Sequence, residues 1–357
     1  MTAQKPVRFA LLGAGLVSPF HAKGIKATPG CELVAIADSN AQRVAARAKE
    51  FDCQACSSLD ELLADKSIDV INILLPNHVH AGATLAAAKA GKHVLVEKPP
   101  AMSLSDTDAM IAACKQAGVQ LGIVLNCRVR KPIQAIRQAI AQGRFGRILQ
   151  ADAFMKWFRS SEYYLSDDWR SSRKSGAGVT IQHAFHYIDL LQYLIGPAAR
   201  VEARMHNLAH PQVKLEDTLY AFVEFANGAR GVVEASTACW PGADIRIEIN
   251  GENGTAVMVG ERMDTWKFRD ERPEDEVDRS LGRKAVTTAA SGPADFDFAD
   301  HQVVIEGMAR AVREGCQPLI TAPSARNSLE MALAMYKSAK THQAVQLPLM
   351  DEQSIWE

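Results

Sequence analysis

No apolar run in the 357-residue sequence approaches the length that crosses a bilayer, so a membrane-spanning role is not expected. Met1 leads to a first apolar run at Val7 with no signal-peptide core between them, so export is not expected. An excess of either charge is missing too. The formal net charge is −1, which gives neither a nucleic acid nor an anionic membrane an electrostatic hold. The seven cysteines are scattered, and an odd number suits reduced thiols in a cytoplasm better than a disulfide framework. Cys53-Gln54-Ala55-Cys56 lacks a second C-x-x-C. The pairs His183/His186 and His206/His210 lack a third ligand at a recognisable spacing, and no metal is expected. Repeats and extended low-complexity tracts are absent as well.

What is present is a chain too long for one ordinary core, so two domains are expected, over 1–125 and 126–357. In the first, β-prone runs alternate with helical stretches, which predicts a parallel sheet with helices on both faces. Val7 to Leu12 runs into Gly13-Ala14-Gly15-Leu16-Val17-Ser18, a G-x-G-x-x-S turn one residue off the dinucleotide fingerprint. The first glycine makes the turn and the second lets a pyrophosphate approach the backbone. The third position needs only a small residue where helix meets strand. A second strand, Leu33 to Ala37, ends at Asp38. Its carboxylate can accept from both ribose hydroxyls of an adenosine and would repel a 2′-phosphate, which favours NAD over NADP. Arg43 nearby keeps NADP open, and a plain helix cap near Asn40 is the other use of Asp38. After Asn126 the alternation becomes that of an antiparallel sheet, with a hairpin signal at Ala226-Asn227-Gly228. The charged stretch Asp270 to Ala299 reads as a long surface loop. Asp300 to Arg313 and Pro323 to Thr341 read as amphipathic helices.

Two positions carry the chemistry. Lys98 follows the short apolar strand His93 to Val96, and prolines stop that strand. Ligands of open α/β sheets bind outside the carboxyl ends of the strands, so Lys98 is expected at the mouth of the nucleotide site. There its ammonium can hold a substrate hydroxyl and stabilise the developing alkoxide. Glu97 is expected to orient it by ion pairing. His186 is the best general base in the chain, though a histidine viewed alone would read as a satisfied core residue. With Gly176 to Asp189 read as a helix, Gln182 and His186 stand at i and i+4 on one face. Asp189, three residues further on, is placed to orient the imidazole. Gln182 cannot exchange protons but can donate and accept hydrogen bonds. The basic set around Trp169 and Arg170 reads equally well as an anion site and as a solvated loop.

On these residues the chain resembles the glucose-fructose oxidoreductase / inositol dehydrogenase (Gfo/Idh/MocA) family. The likeness rests on the Gly13-Ala14-Gly15 turn, Asp38, Pro76-Asn77-His78, Gly91 through Glu97-Lys98-Pro99, and the glycine-rich run into His186. Ser338-Ala339 with Leu347-Pro348-Leu349 extends it over nearly the whole chain. It implies an α/β plus α+β protein. An N-terminal Rossmann domain with a doubly wound parallel sheet precedes a C-terminal domain with a large, mostly antiparallel sheet. That sheet's open face commonly forms dimer or tetramer contacts, so a homodimer or homotetramer is expected. The implied reaction moves a hydride between the nicotinamide of NAD(P) and a secondary alcohol of a sugar, sugar derivative or cyclic polyol. The family's lysine maps to Lys98 and its catalytic histidine to His186. The position four before that histidine is often aspartate. Gln182 departs from this and puts more of the proton work on His186.

The resemblance further sets Gly13, Gly15, Leu16, Val17, Asp38, Pro76, Asn77, His80, Glu97 and Lys98 along the cofactor. It sets Lys98, Trp169, Arg170, Gln182, His183 and His186 on the substrate. Two other readings stay open. Some relatives cleave glycosides through a transient keto-sugar with recycled NAD. A nucleotide-bound regulator of the same fold would be expected to lack Lys98 or His186, and both are present.

Overall fold

A computed structural model describes residues 5–176, 178–282, 297–352 and 355–356. It contains two compact units, Met1–Asn126 with Asp297–Arg326, and Cys127–Phe296 with Asn327–Glu357.

The first unit holds six strands: β1 Val7–Leu12, β2 Cys31–Ala37, β3 Gln54–Cys56, β4 Val70–Ile73, β5 His93–Glu97 and β6 Leu121–Val124. They pair in parallel in the order β3-β2-β1-β4-β5-β6. Strands covered on both faces read as near-continuous apolar runs, and β4 and β6 are buried throughout. The polar exception is Asn72 in β4, which is fully buried. Chain order reverses between β1 and β4, and this switch point is where open α/β sheets bind ligands.

The segment from Asp297 to Arg326 joins this first unit, whereas the sequence reading assigned it to the second. Helix Ala299–Glu314 packs on helix Ser18–Ala27. A Cβ at Gly24 would stand 2.8 Å from Ile305 Cδ1 and 3.3 Å from the Gln302 amide nitrogen, so glycine there lets the two helices approach. The Arg313 guanidinium donates to the Gly30 carbonyl at 2.6 Å, and the Ile123 amide donates to the Ile320 carbonyl beside β6. Amphipathicity fixed the helix in the sequence but could not say which sheet it covers.

The second unit is built on eight strands: β7 Ile148–Lys156, β8 Ala198–His206, β9 Thr218–Phe225, β10 Arg230–Ser236, β11 Arg246–Gly251, β12 Gly254–Val259, β13 Arg262–Phe268 and β14 Val345–Gln346. Their order is β13-β12-β11-β7-β10-β9-β8-β14, with β7 and β10 parallel and the other pairs antiparallel. Helix Phe185–Ile195 packs against β7. In β9, Leu219, Ala221 and Val223 point into the core while Tyr220 and Phe222 point out. Gly228 at φ +88° closes the β9–β10 hairpin.

The stretch after β13 is not all surface loop. Asp275 opens a short helix, Asp275–Arg279, and is buried. It accepts from Arg144 Nη1 and Nη2, at 2.6 and 2.9 Å, and from Trp266 Nε1 at 2.8 Å. The Arg144 hydrogen bonds hold its carboxyl well below the usual carboxylate range. Residues 283–296 of that predicted loop lie outside the described residues.

A second buried ion pair ties the helices of this unit. Asp189 accepts from Arg128 Nε at 2.8 Å and Nη2 at 2.6 Å, and from Ser328 Oγ at 2.6 Å. Both charges are almost fully desolvated, at 4% and 1% side-chain exposure. Removing one partner of such a pair strands the other charge. Asp189→Ala is therefore expected to lose about 3–5 kcal/mol of stability. Chemical denaturation monitored by circular dichroism checks this; a loss under about 1 kcal/mol, the range of exposed pairs, would contradict it.

Candidate active site

In the first unit the site begins at the turn after β1. Gly13 sits at φ +115°, and a Cβ on it would lie 2.6 Å from the Leu74 carbonyl oxygen. Glycine is compulsory there for reasons internal to the chain. Gly15 differs. The nearest atom to a Cβ on it would be Arg43 Nη1 at 3.9 Å, so nothing among the described residues requires glycine. A bare backbone facing open space just before a helix fits a pyrophosphate laid against it. Val17, the cap residue of helix Ser18–Ala27, makes no side-chain cap, and Leu16 is exposed beside it. Ser18 is fully buried and its Oγ donates to the Gly15 carbonyl at 2.8 Å, which fixes the turn where a third glycine would stand.

Asp38 closes β2 against this turn. Its Oδ2 accepts from the Ala14 amide at 2.8 Å, and Oδ1 accepts from the Asn40 amide at 2.8 Å. The helix cap is Asn40, whose side chain accepts from the Arg43 amide. Arg43 Nη1 stands 3.8 Å from Asp38 Oδ2. Carboxylate oxygens have spare acceptor capacity, so these bonds aim Asp38 without exhausting it.

At the ends of β4 and β5 a network holds Lys98. Glu97 Oε1 lies 2.9 Å from His21 Nε2, and Oε2 accepts from the Lys98 backbone amide at 3.1 Å. Burial pushes the Glu97 carboxyl up, but the hydrogen bond from His21 and nearby positive charge prevail and hold it at about 2. The expected orienting partner of Lys98 thus holds the lysine's backbone, feels its charge, and is itself held by His21. Asn72 Nδ2 meets His21 Nδ1 at 3.2 Å. His80, expected along the cofactor, is fully buried. Its ring nitrogens each lie 2.8 Å from a backbone carbonyl oxygen, of Pro99 and of Leu75. It therefore pins the turn after β5 to the loop after β4. That loop carries Pro76 and the buried Asn77, in the short turn Asn77–Val79. Spacing did not reveal His21; the one hint was Asn72, a polar residue inside an apolar strand.

In the second unit the glycine-rich run obeys packing. A Cβ at Gly176 would meet the Trp169 carbonyl oxygen at 2.4 Å, and one at Gly178 would meet Glu216 at 2.2–2.4 Å. Glu216 lies beneath the run. Its carbonyl accepts from the Val179 amide, and its Oε1 from the Thr180 amide and Tyr336 hydroxyl. Burial raises its carboxyl pKa.

Gln182 and His186 do not share one continuous helix. Helix Val179–Gln182 stops at His183, and helix Phe185–Ile195 starts after Ala184. The Ala184 amide reaches back five residues to Val179, and the Tyr187 amide only three, to Ala184. Gln182 Nε2 donates to the Arg170 carbonyl at 2.9 Å, so it braces the short helix Asp168–Ser171, which carries Trp169 and Arg170 where the sequence reading allowed a solvated loop. Arg170 lies over the Tyr163 and Trp169 rings and bonds the Tyr163 hydroxyl at 2.8 Å. His183 is buried edge-on to Trp157, and His186 is partly exposed. Asp189 is committed to Arg128 and Ser328, so it is a structural anchor and not the partner expected for His186.

Residues 7–124 match the model of an oxidoreductase family with an NAD-binding Rossmann fold, and residues 133–257 match the Gfo/Idh/MocA C-terminal domain. The WlbA dehydrogenase of Bordetella pertussis, solved with NADH and UDP-GlcNAcA, is 31% identical, with a TM-score of 0.86 over 96% of this chain and 99% of that one. The chain belongs to the Gfo/Idh/MocA family. Its curated relatives include a 1,5-anhydro-D-fructose reductase of Ensifer adhaerens, 29% identical over 95% of this chain and 98% of that protein. A scyllo-inositol 2-dehydrogenase (NAD(+)) of Bacillus subtilis is 27% identical over 96% of each. As a Gfo/Idh/MocA oxidoreductase the chain uses NAD, and the bare backbone at Gly15 fits that cofactor's pyrophosphate. No helix among the described residues is long and apolar enough to cross a membrane.

If Asp38 also bonds the adenosine ribose, Asp38→Ala should weaken NAD about tenfold, the scale of a hydrogen bond to a charged group, and weaken NADP less. Fluorescence titration with both nucleotides checks it. Equal losses would restrict Asp38 to holding the turn.

Proposed function

We propose that this oxidoreductase moves a hydride between NAD and a ring secondary alcohol of a sugar, sugar derivative or cyclic polyol, with Lys98 and His186 as its catalytic pair. The observation that carries the reading is the bracing of Lys98. Its own amide bonds Glu97, and the carbonyl of the next residue meets His80. A lysine whose backbone is held on both flanks at the carboxyl end of a nucleotide-binding sheet has its starting direction set, and preorganised charge is what stabilises a developing alkoxide. Bound NAD supplies the hydride acceptor; the protein supplies position and charge.

In the oxidative direction the Lys98 ammonium holds the substrate hydroxyl and stabilises negative charge on its oxygen. His186 takes the hydroxyl proton and returns it in reduction. Gln182 cannot carry a proton, so its work is positional: it fixes the short helix of Trp169 and Arg170. That helix, with His183, is the proposed wall against the sugar. The names of two relatives, a 1,5-anhydro-D-fructose reductase and a scyllo-inositol 2-dehydrogenase, support the substrate class. We propose further that the chain acts in the cytoplasm. There the outward face of the second sheet, with Phe222 67% exposed, packs against a second copy as a homodimer or homotetramer.

Lys98→Ala should lower kcat by roughly 10²–10³, the scale of losing one charge-stabilising donor, while NAD still binds. NADH formation across a panel of sugars, sugar acids, nucleotide sugars and inositols checks this. Near-normal kcat would remove Lys98 from the chemistry. Tightly held cofactor with no NADH release from any substrate would favour a closed cycle through a keto-sugar.

A further inference from the structure

The His21–Glu97 pair has a third neighbour of ligand chemistry. His301, on the returning helix Ala299–Glu314, lies with its ring centroid 5.0 Å from that of His21. One potential ligand atom from each of His21, Glu97 and His301 falls within 4.8 Å of the other two. The three come from distant parts of the chain: the helix after the glycine turn, the end of β5, and the segment that rejoins the first unit.

We propose that His21, Glu97 and His301 form a zinc site that fastens the returning helix to the sheet beside Lys98. Two imidazoles and a carboxylate are a donor set that binds zinc and leaves a fourth position for water. Ligand atoms of tetrahedral zinc stand about 3.3 Å apart, given metal–ligand distances near 2.0 Å. The 2.9 Å between His21 Nε2 and Glu97 Oε1 and the 4.8 Å limit of the cluster bracket that spacing. Calcium and magnesium favour all-oxygen shells, and two nitrogens select against them.

A metal-bound imidazole usually donates its second ring N–H to an oxygen that fixes its tautomer. Asn72 stands at His21 Nδ1, and its Oδ1 is buried with no hydrogen-bond partner. With the amide turned half a revolution, Oδ1 accepts from Nδ1–H and the Nε2 lone pair faces the cluster. The hydrogen-bonded pair is then the metal-free form of the same site. On binding, the imidazole proton passes from Nε2 to Nδ1 and the ion takes its place toward Glu97. No net proton or electron is required.

The test uses the full chain, stripped with a chelator and titrated with Zn²⁺ against a chromogenic competitor. One equivalent should bind. His301→Gln should weaken it by more than roughly a hundredfold, and Asn72→Ala by roughly ten- to a hundredfold. Cys53→Ser should leave it unchanged. Co²⁺ added to the unaltered protein should give the visible bands of a tetrahedral ion without thiolate charge transfer, a readout that needs no variant to fold. Absence of saturable binding, equal affinity in His301→Gln with native circular dichroism, or a thiolate band would each overturn the proposal. None of these readouts depends on dehydrogenase activity.

Discussion

The hydrogen bond between His21 and Glu97 is the contact on which the rest of the first unit's site depends. A carboxylate removed from water favours its neutral form, and burial alone would push Glu97 that way. The imidazole reverses this and keeps the charge in place. The charged carboxylate then holds the Lys98 amide, and with it the direction in which the lysine leaves the strand. Asn72 fixes the imidazole in turn, which explains a fully buried amide in a strand that otherwise buries only apolar side chains. A chain of three polar side chains in a dry interior is stable only when its members find partners, so each one constrains the next.

The glycines of the two units look alike in the sequence and have different causes. Gly13, Gly176 and Gly178 are required by the chain's own atoms, because a Cβ on any of them would overlap a backbone oxygen. Gly15 meets no such obstacle. A pyrophosphate laid against its bare backbone accounts for the glycine there.

Much of the architecture was legible in the order of residues. Strand and helix alternation gave the parallel sheet, and period-two alternation in Thr218–Phe225 gave the two-faced antiparallel one. Local signals of this kind act within a few residues, so one sequence contains them. Of the candidate site, the placement of Gly13, Gly15, Asp38 and Lys98 just past strand ends was legible. The partners of these residues were not. His21 and Glu97, Asp189 and Ser328, and Arg144 and Asp275 meet only through the fold, and no spacing rule joins them. The membership of Asp297–Arg326 in the first unit escaped for the same reason.

The segment from Gly176 to Asp189 shows how a periodicity argument can succeed on content and fail on geometry. Its residues favour helix, and helix forms on both sides of Ala184. Two demands compete at the join. Gly178 must rest on Glu216, and Asp189 must reach Arg128 and Ser328. The amide of Ala184 reaches one residue too far back and that of Tyr187 one too few, so the chain satisfies both anchors by giving up one regular turn. The interruption frees Gln182 from sharing a face with His186. Its amide turns instead to the Arg170 carbonyl, and one residue ties the short helix of Trp169 to the helix junction. A local irregularity bounded by buried anchors on either side is thus the way this fold sets two polar side chains of one segment to different tasks.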